Sequence, residues 1–145
     1  MNNEKLKEIL EKHAKYLNGE PDGERADLGG ATLCDVTLGY VNLYGANLYG
    51  TNLHGANLHG ADLGGANIDF SCLPLWCGSL HVHFDNKQMI QILYHLLSVV
   101  SYSKYTSEEM RKALLTPELC EIANKFHRVD ECGKISPADF SKEEI

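Results

Sequence analysis

Leucine recurs at every fifth position through the middle of this chain. Leu28, Leu33, Leu38, Leu43, Leu48, Leu53, Leu58 and Leu63, then Ile68 and Leu73, hold one register without a break. Two residues before each stands a small or compact one: Ala26, Ala31, Val36, Val41, Ala46, Thr51, Ala56, Ala61, Ala66 and Ser71. Asp, Asn or Thr lies between them in most units, as at Asp27, Thr32, Asn42, Asn47, Asn52, Asn57 and Asp62. Two residues after the apolar position comes Gly30, Gly45, Gly50, Gly55, Gly60 or Gly65. A helix face repeats about every 3.6 residues and a strand face every two, so a period of five fits neither. Glycine in most units signals a turn in each, because tight turns often need a positive φ. Asn and Asp serve turns by bonding nearby backbone. A chain bending every five residues wraps around an axis, with Leu inward and the small residue where space is tight.

The stretch ANLYGTNLHGANLHGADLGGAN resembles the pentapeptide-repeat family, whose pattern is Ala-(Asp/Asn)-Leu-x-x. The resemblance runs over ten consecutive units, Ala26 to Leu73. It implies an all-β right-handed quadrilateral β-helix, a pentapeptide-repeat solenoid with four units per coil. Leu28, Leu48 and Ile68 then share one ladder, and Leu33, Leu53 and Leu73 the next. Leu38 lies under Leu58, and Leu43 under Leu63. Coils should sit about 4.8 Å apart, as paired strands do. The outward residues Tyr44, Tyr49, His54 and His59 follow one another around the middle coil, with gaps at Gly29, Gly39 and Gly64.

The flanks read as helices. Leu6, Ile9, Leu10, His13, Ala14 and Leu17 share one face over residues 3–17, before Gly19. A solenoid end exposes apolar core and unpaired backbone, so this segment is expected as an N-terminal capping helix. The period breaks at Pro74, and LPLWCGSLHVHF is expected to form a last strand or an irregular cap. Asp85 with Gln88 resembles a capping box. The helix that follows is apolar over more than half its surface, at Met89, Ile90, Ile92, Leu93, Leu96, Leu97, Val99 and Val100. Further helix starts are read at Ser107, Thr116-Pro117 and Ser136-Pro137. The expected organisation is 1–25 capping helix and connection, 26–73 β-helix, and 74–145 C-terminal cap and α-helical subdomain. FHRVDECGKI near the end resembles the tails of phage- or prophage-type members of the family.

Charge narrows the function. The net charge is −7. Residues 26–73 carry four aspartates (Asp27, Asp35, Asp62, Asp69) and no Lys or Arg. Such a segment repels phosphate backbones, which excludes direct nucleic-acid binding through it. No stretch is apolar for the ~18 residues of a membrane span. The opening MNNEK lacks an apolar leader core, which predicts a cytoplasmic protein. Five cysteines, an odd count, argue against a disulfide framework.

Catalytic and metal chemistry find little footing. Cys72, Cys77, His81 and His83 are zinc-type residues, but their spacing matches no zinc motif, and Cys77 beside Trp76 reads as packing. Cys120 and His127 on one helix face would stand about 10.5 Å apart, too far for a nucleophile and its base; Cys132 with Asp130 is the other pair to weigh. No enzyme activity, cofactor or metal is therefore expected. The expected function is protein binding, with Tyr44, Tyr49, His54, His59 and the four aspartates as the contact surface. The family resemblance also brings in DNA-mimicking inhibitors of DNA gyrase, and so a host protein with a basic DNA-binding groove. The aspartates are far sparser than duplex phosphates, which carry a charge every ~1.7 Å. A nucleotide stacked on Tyr94, His95, Tyr102 and Tyr105 is the rival reading, and a plain scaffold a third. A homodimer is expected through Met89, Ile90, Leu93, Leu96, Leu97 and Val100.

Overall fold

The computed structural model describes residues 1–74 and 81–137, and the chain divides into two compact units, Met1–Asp85 and Asn86–Ile145.

In the first unit the residue before each inward Leu pairs in parallel with the residue twenty positions on. The pairs are Asp27 with Asn47, Thr32 with Asn52, Thr37 with Asn57, Asn42 with Asp62, Asn47 with Asn67 and Asn52 with Cys72. A constant step of twenty is four pentapeptides per coil. Adjacent coils are laced by backbone bonds: Leu28 N–H donates to Asn47 O (2.8 Å), Asn47 N–H to Ala26 O (2.9 Å) and Gly30 N–H to Tyr49 O (2.7 Å). Among the described residues each face contributes a single bridge and no longer strand, because the backbone turns a few residues later. Leu28 through Leu63 are all essentially inaccessible to solvent, with Ala26, Ala46, Ala56 and Ala61 beside them. Thr51 takes an alanine position in this interior, and its hydroxyl donates to Leu28 O at 2.7 Å. That bond removes the cost of burying the hydroxyl unpaired.

Each corner is a hydrogen-bonded turn, with Ala31 N–H donating to Leu28 O, Ala46 N–H to Leu43 O and Ala61 N–H to Leu58 O. The third residue of the turn has φ near +65°, as at Gly30 and Gly60. The Asn or Asp before the inward Leu fixes the turn from the other side. Its side-chain oxygen accepts the N–H two residues on, as from Tyr44 to Asn42, Tyr49 to Asn47, His54 to Asn52 and His59 to Asn57. The five-residue pattern is thus one inward apolar residue and one side-chain-braced turn.

The solenoid extends further than the repeat pattern predicts. His83 pairs with Asp62, its N–H donates to Ala61 O, and it accepts from Leu63 N–H, both at 2.9 Å. Val82 and Phe84 pack on the solenoid core. The step here is twenty-one, not twenty, so one inserted residue shifts this rung, which lies in the segment expected as a last strand or an irregular cap. Cys77 and Trp76 lie outside the described residues.

Helix α1 spans Asn3–Leu17, as the apolar face predicts; Asn2 caps it by accepting from Lys5 N–H. Leu6 is buried, and Ile9 and Leu10 pack on the solenoid core. Gly23 follows the helix closely: any side chain there would collide with the Tyr16 backbone. His13 is fully buried, and its Nδ1 accepts the Ala26 N–H at 3.1 Å. The neutral ring then carries its hydrogen on Nε2, which has no partner among the described residues. Burial, and then the nearby Arg25, lower the pKa of His13 from its ordinary 6.5. The unfolded chain therefore takes up a proton near pH 6.5 that the folded unit refuses. Stability contributed by the neutral ring is whole above that pH. It falls as pH drops below it, by at most about 1.4 kcal/mol per pH unit, until the lowered folded value is reached. Urea titrations at pH 7 and pH 5 should show a larger loss in wild type than in His13→Gln; equal losses would mean that His13 does not carry the acid sensitivity.

The second unit is helical: α2 Asn86–Tyr102, α3 Glu108–Leu114, α4 Pro117–Ala123 and α5 Val129–Cys132. Ser107 and Thr116 cap α3 and α4 through their hydroxyls, where the sequence places the starts. The Arg111 guanidinium donates to Ser101 O (2.7 Å) and Ser103 O (2.5 Å), satisfying carbonyls at and just beyond the end of α2. The core gathers Tyr94, Leu97, Val100, Leu115, Cys120, Ala123, Phe126 and Ile135. Tyr94 stacks on Phe126 at 4.7 Å, and its hydroxyl donates to Gly133 O at 2.6 Å. Among the described residues no helix is long and apolar enough to cross a membrane.

Candidate interaction surface

Four units per coil give the solenoid four corners. Tyr49 stands on the corner of Leu48, His54 on that of Leu53, His59 on that of Leu58 and Tyr44 on that of Leu43. The four belt residues therefore point in four directions and form no shared patch. Each meets a different neighbour. The Tyr44 ring lies against Gly64, whose added Cβ would come within 3.2 Å of it. Tyr49 meets Phe70 edge-on at 5.1 Å. His59 meets Tyr40 at 5.3 Å and His81 at 5.0 Å, both edge-on. His54 is exposed.

The aspartates also divide. Asp27 and Asp62 occupy the turn-bracing position and accept from Gly29 and Gly64 N–H; Asp27 additionally accepts from the Asn47 amide at 2.7 Å. Those two carboxylates serve the turns first. Asp35 and Asp69 stand on the outward side of their turns. Asp35, with Lys7, lines an open cleft of about 760 Å³ between α1 and residues 34–37, walled by Leu6, Leu10 and Cys34.

Three aromatics join this surface: Tyr40 and Phe70, which the sequence pattern left unremarked, and His81, weighed there only as a metal ligand. Tyr40, Phe70 and His81 have φ of 60°, 58° and 61°, in the left-handed region that glycine holds in most other units. Tyr40 and Phe70 can be found in the repeat, because they replace the expected Gly two residues after Leu38 and Ile68. His81 cannot, because the inserted residue shifts its register.

Two expectations for the helical unit need correction. Leu97 and Val100 were expected at a dimer contact, yet both are buried in the core of this unit. The rival reading has Tyr94 stack on a nucleotide, yet its ring and hydroxyl are committed to Phe126 and Gly133. Burial also raises the pKa of the Cys120 thiol, which disfavours the nucleophilic thiolate. Helix α4 ends at Ala123, so His127 does not share a helix with Cys120. No three His, Cys, Asp or Glu side chains gather as a metal set among the described residues.

Side-chain-braced turns around a leucine-filled axis, with variable side chains at the corners, define a repeat protein of the solenoid class. Residues 26–65 match the family model of pentapeptide repeats, in eight copies. This segment is a run of pentapeptide repeats. A solved structure, a pentapeptide repeat protein from the cyanobacterium Cyanothece 51142, is similar at 33% identity, with a TM-score of 0.28. The similarity covers 42% of this chain and 41% of that one. No curated protein matches the chain.

Proposed function

We propose that this chain is a non-enzymatic binding protein whose right-handed solenoid receives a basic surface of another protein. Charge is the observation that supports the reading: from Ala26 to Asn86 there is no Lys or Arg, while Asp35 is exposed and Asp69 half-buried on the outer face, which also carries the exposed Tyr40, Tyr44 and Tyr49. Tyr offers a large contact area at low entropic cost, and a cation on the partner gains from both carboxylate and ring. Proteins that handle nucleic acids carry basic grooves for phosphates. An inhibitor of a host nucleic-acid-processing or defence protein, of the phage or prophage kind and acting in the cytoplasm, is the use that suits this surface. Partial imitation of DNA is the weaker element, since Asp27 and Asp62 are occupied by turns. The test compares capture from source-cell lysate by wild type and by a Tyr49→Ala/Asp69→Asn variant. A basic protein held by wild type, released by salt and lost with the variant supports the reading. Capture unaffected by the variant, or direct retention of duplex DNA, contradicts it.

We place the homodimer contact on Met89, Ile92, Leu96 and Val99. Their spacing of three, four and three residues makes one stripe along α2, and Met89, Leu96 and Val99 are about half exposed or more. Lys87 is the one charged residue of that helix, so two copies would meet without repulsion. An apolar groove of about 410 Å³ formed by Met89, Ile90, Leu93 and Ile122 with Asn86 lies beside the stripe.

A further inference from the structure

We infer that the corner carrying Tyr40, His59 and His81 is a docking site for an arginine side chain of a basic partner segment. The inference rests on the reading that the partner is basic, and names the contact. Three observations converge on this corner. First, Tyr40 and His81 hold φ near +60°, a conformation that bulky L-residues avoid and that glycine takes freely. Burial does not compensate, since Tyr40 is 77% exposed. Non-glycine residues held in this region cluster at binding sites.

Second, the two strained residues lie one coil to either side of Gly60. A Cβ on Gly60 would come within 2.6 Å of Tyr40 Cδ1, so the ring occupies the space that glycine leaves. His59 stands between them, at 5.3 Å from Tyr40 and 5.0 Å from His81, with interplanar angles of 78° in both contacts. Each edge-on contact covers one ring face, but Tyr40 and His81 stay exposed, and the three rings make one aromatic strip across the coils.

Third, no Lys or Arg lies between residues 26 and 86 to occupy those faces from within the solenoid. Among the described residues no Lys or Arg of the chain stands over these three rings, so a partner's cation can take them. Arginine suits the strip better than lysine, because its planar, weakly hydrated guanidinium stacks on aromatic faces.

The test titrates the full chain, with its aromatic rings isotope-labelled, with nona-arginine and with nona-lysine peptides. The arginine peptide is expected to shift the Tyr40 and His59 ring signals saturably, and to bind about fivefold tighter than the lysine peptide. Tyr40→Gly should abolish that preference while melting no lower than wild type, because glycine is at ease at this φ. Equal affinity for the two peptides, or an arginine preference that persists in Tyr40→Gly, overturns the docking site but leaves the basic-partner reading standing. Failure of both peptides to bind at low salt overturns both.

Discussion

Leu53→Asp should abolish the cooperative unfolding of the solenoid. Leu53 is wholly inaccessible to solvent and lies in the stack between Leu33 and Leu73. The aspartate would either carry its charge into an alkyl interior or enter protonated with unpaired polar atoms. Either state costs several kcal/mol, a large part of the ~5–15 kcal/mol that stabilises a domain. Leu53→Ala removes only packing and should cost about 2–5 kcal/mol. His54 is the next residue but stands outside, so His54→Ala should change stability by no more than about 0.5 kcal/mol. Urea unfolding followed by circular dichroism separates the three. A wild-type transition in Leu53→Asp would show that the fifth-position leucines do not line the axis.

Leu97→Ala should destabilise the helical unit by about 2–5 kcal/mol at every protein concentration. Leu97 is fully buried among Tyr94, Val100, Phe126 and their neighbours. Its loss leaves a cavity inside one chain, so mass action plays no part. Leu96→Asp is the contrasting change. Leu96 is about half exposed on the proposed dimer stripe. The variant should stay folded and scatter light as a single chain of 16.1 kDa, where wild type should scatter as about twice that mass. A stability loss in Leu97→Ala that vanishes on dilution would return Leu97 to the interface. A wild type already at the single-chain mass would remove the dimer.

These contrasts mark where the sequence was readable. The fifth-position leucines and the Asn and Asp before them carry one consistent physical signal, because inward packing and turn bracing both recur at the same period. The twenty-residue coil came from the family resemblance, and parallel bridges bear it out. Helix α1 and the caps of α3 and α4 were legible from short local patterns at residues 3–17, Ser107 and Thr116. Other features needed three dimensions. The rung at Val82–Phe84 falls in the segment expected as a last strand or irregular cap, but its pairing partner was not legible, because one inserted residue breaks the register that pattern reading follows. Helix α5 spans only four residues and has no periodicity to detect. Helix α2 is apolar on several sides, so its sequence could not say which stripe its own unit would cover; Leu97 and Val100 turned inward. The belt was legible as outward positions, but adjacency in sequence here means divergence in space. Neighbours on this surface come from successive coils, and so Tyr40 joins His59 and His81.

The placement of every outward side chain depends on the coil length. Through-hydrogen-bond couplings in the nitrogen- and carbon-labelled protein measure that length directly. Leu28 N–H should couple to the carbonyl of Asn47, Leu33 to Asn52, Leu38 to Asn57 and Leu43 to Asp62, with the step changing by one residue only at Leu63 and His83. Couplings at any other constant step, or none across coils, would contradict the four-cornered solenoid and with it the aromatic corner.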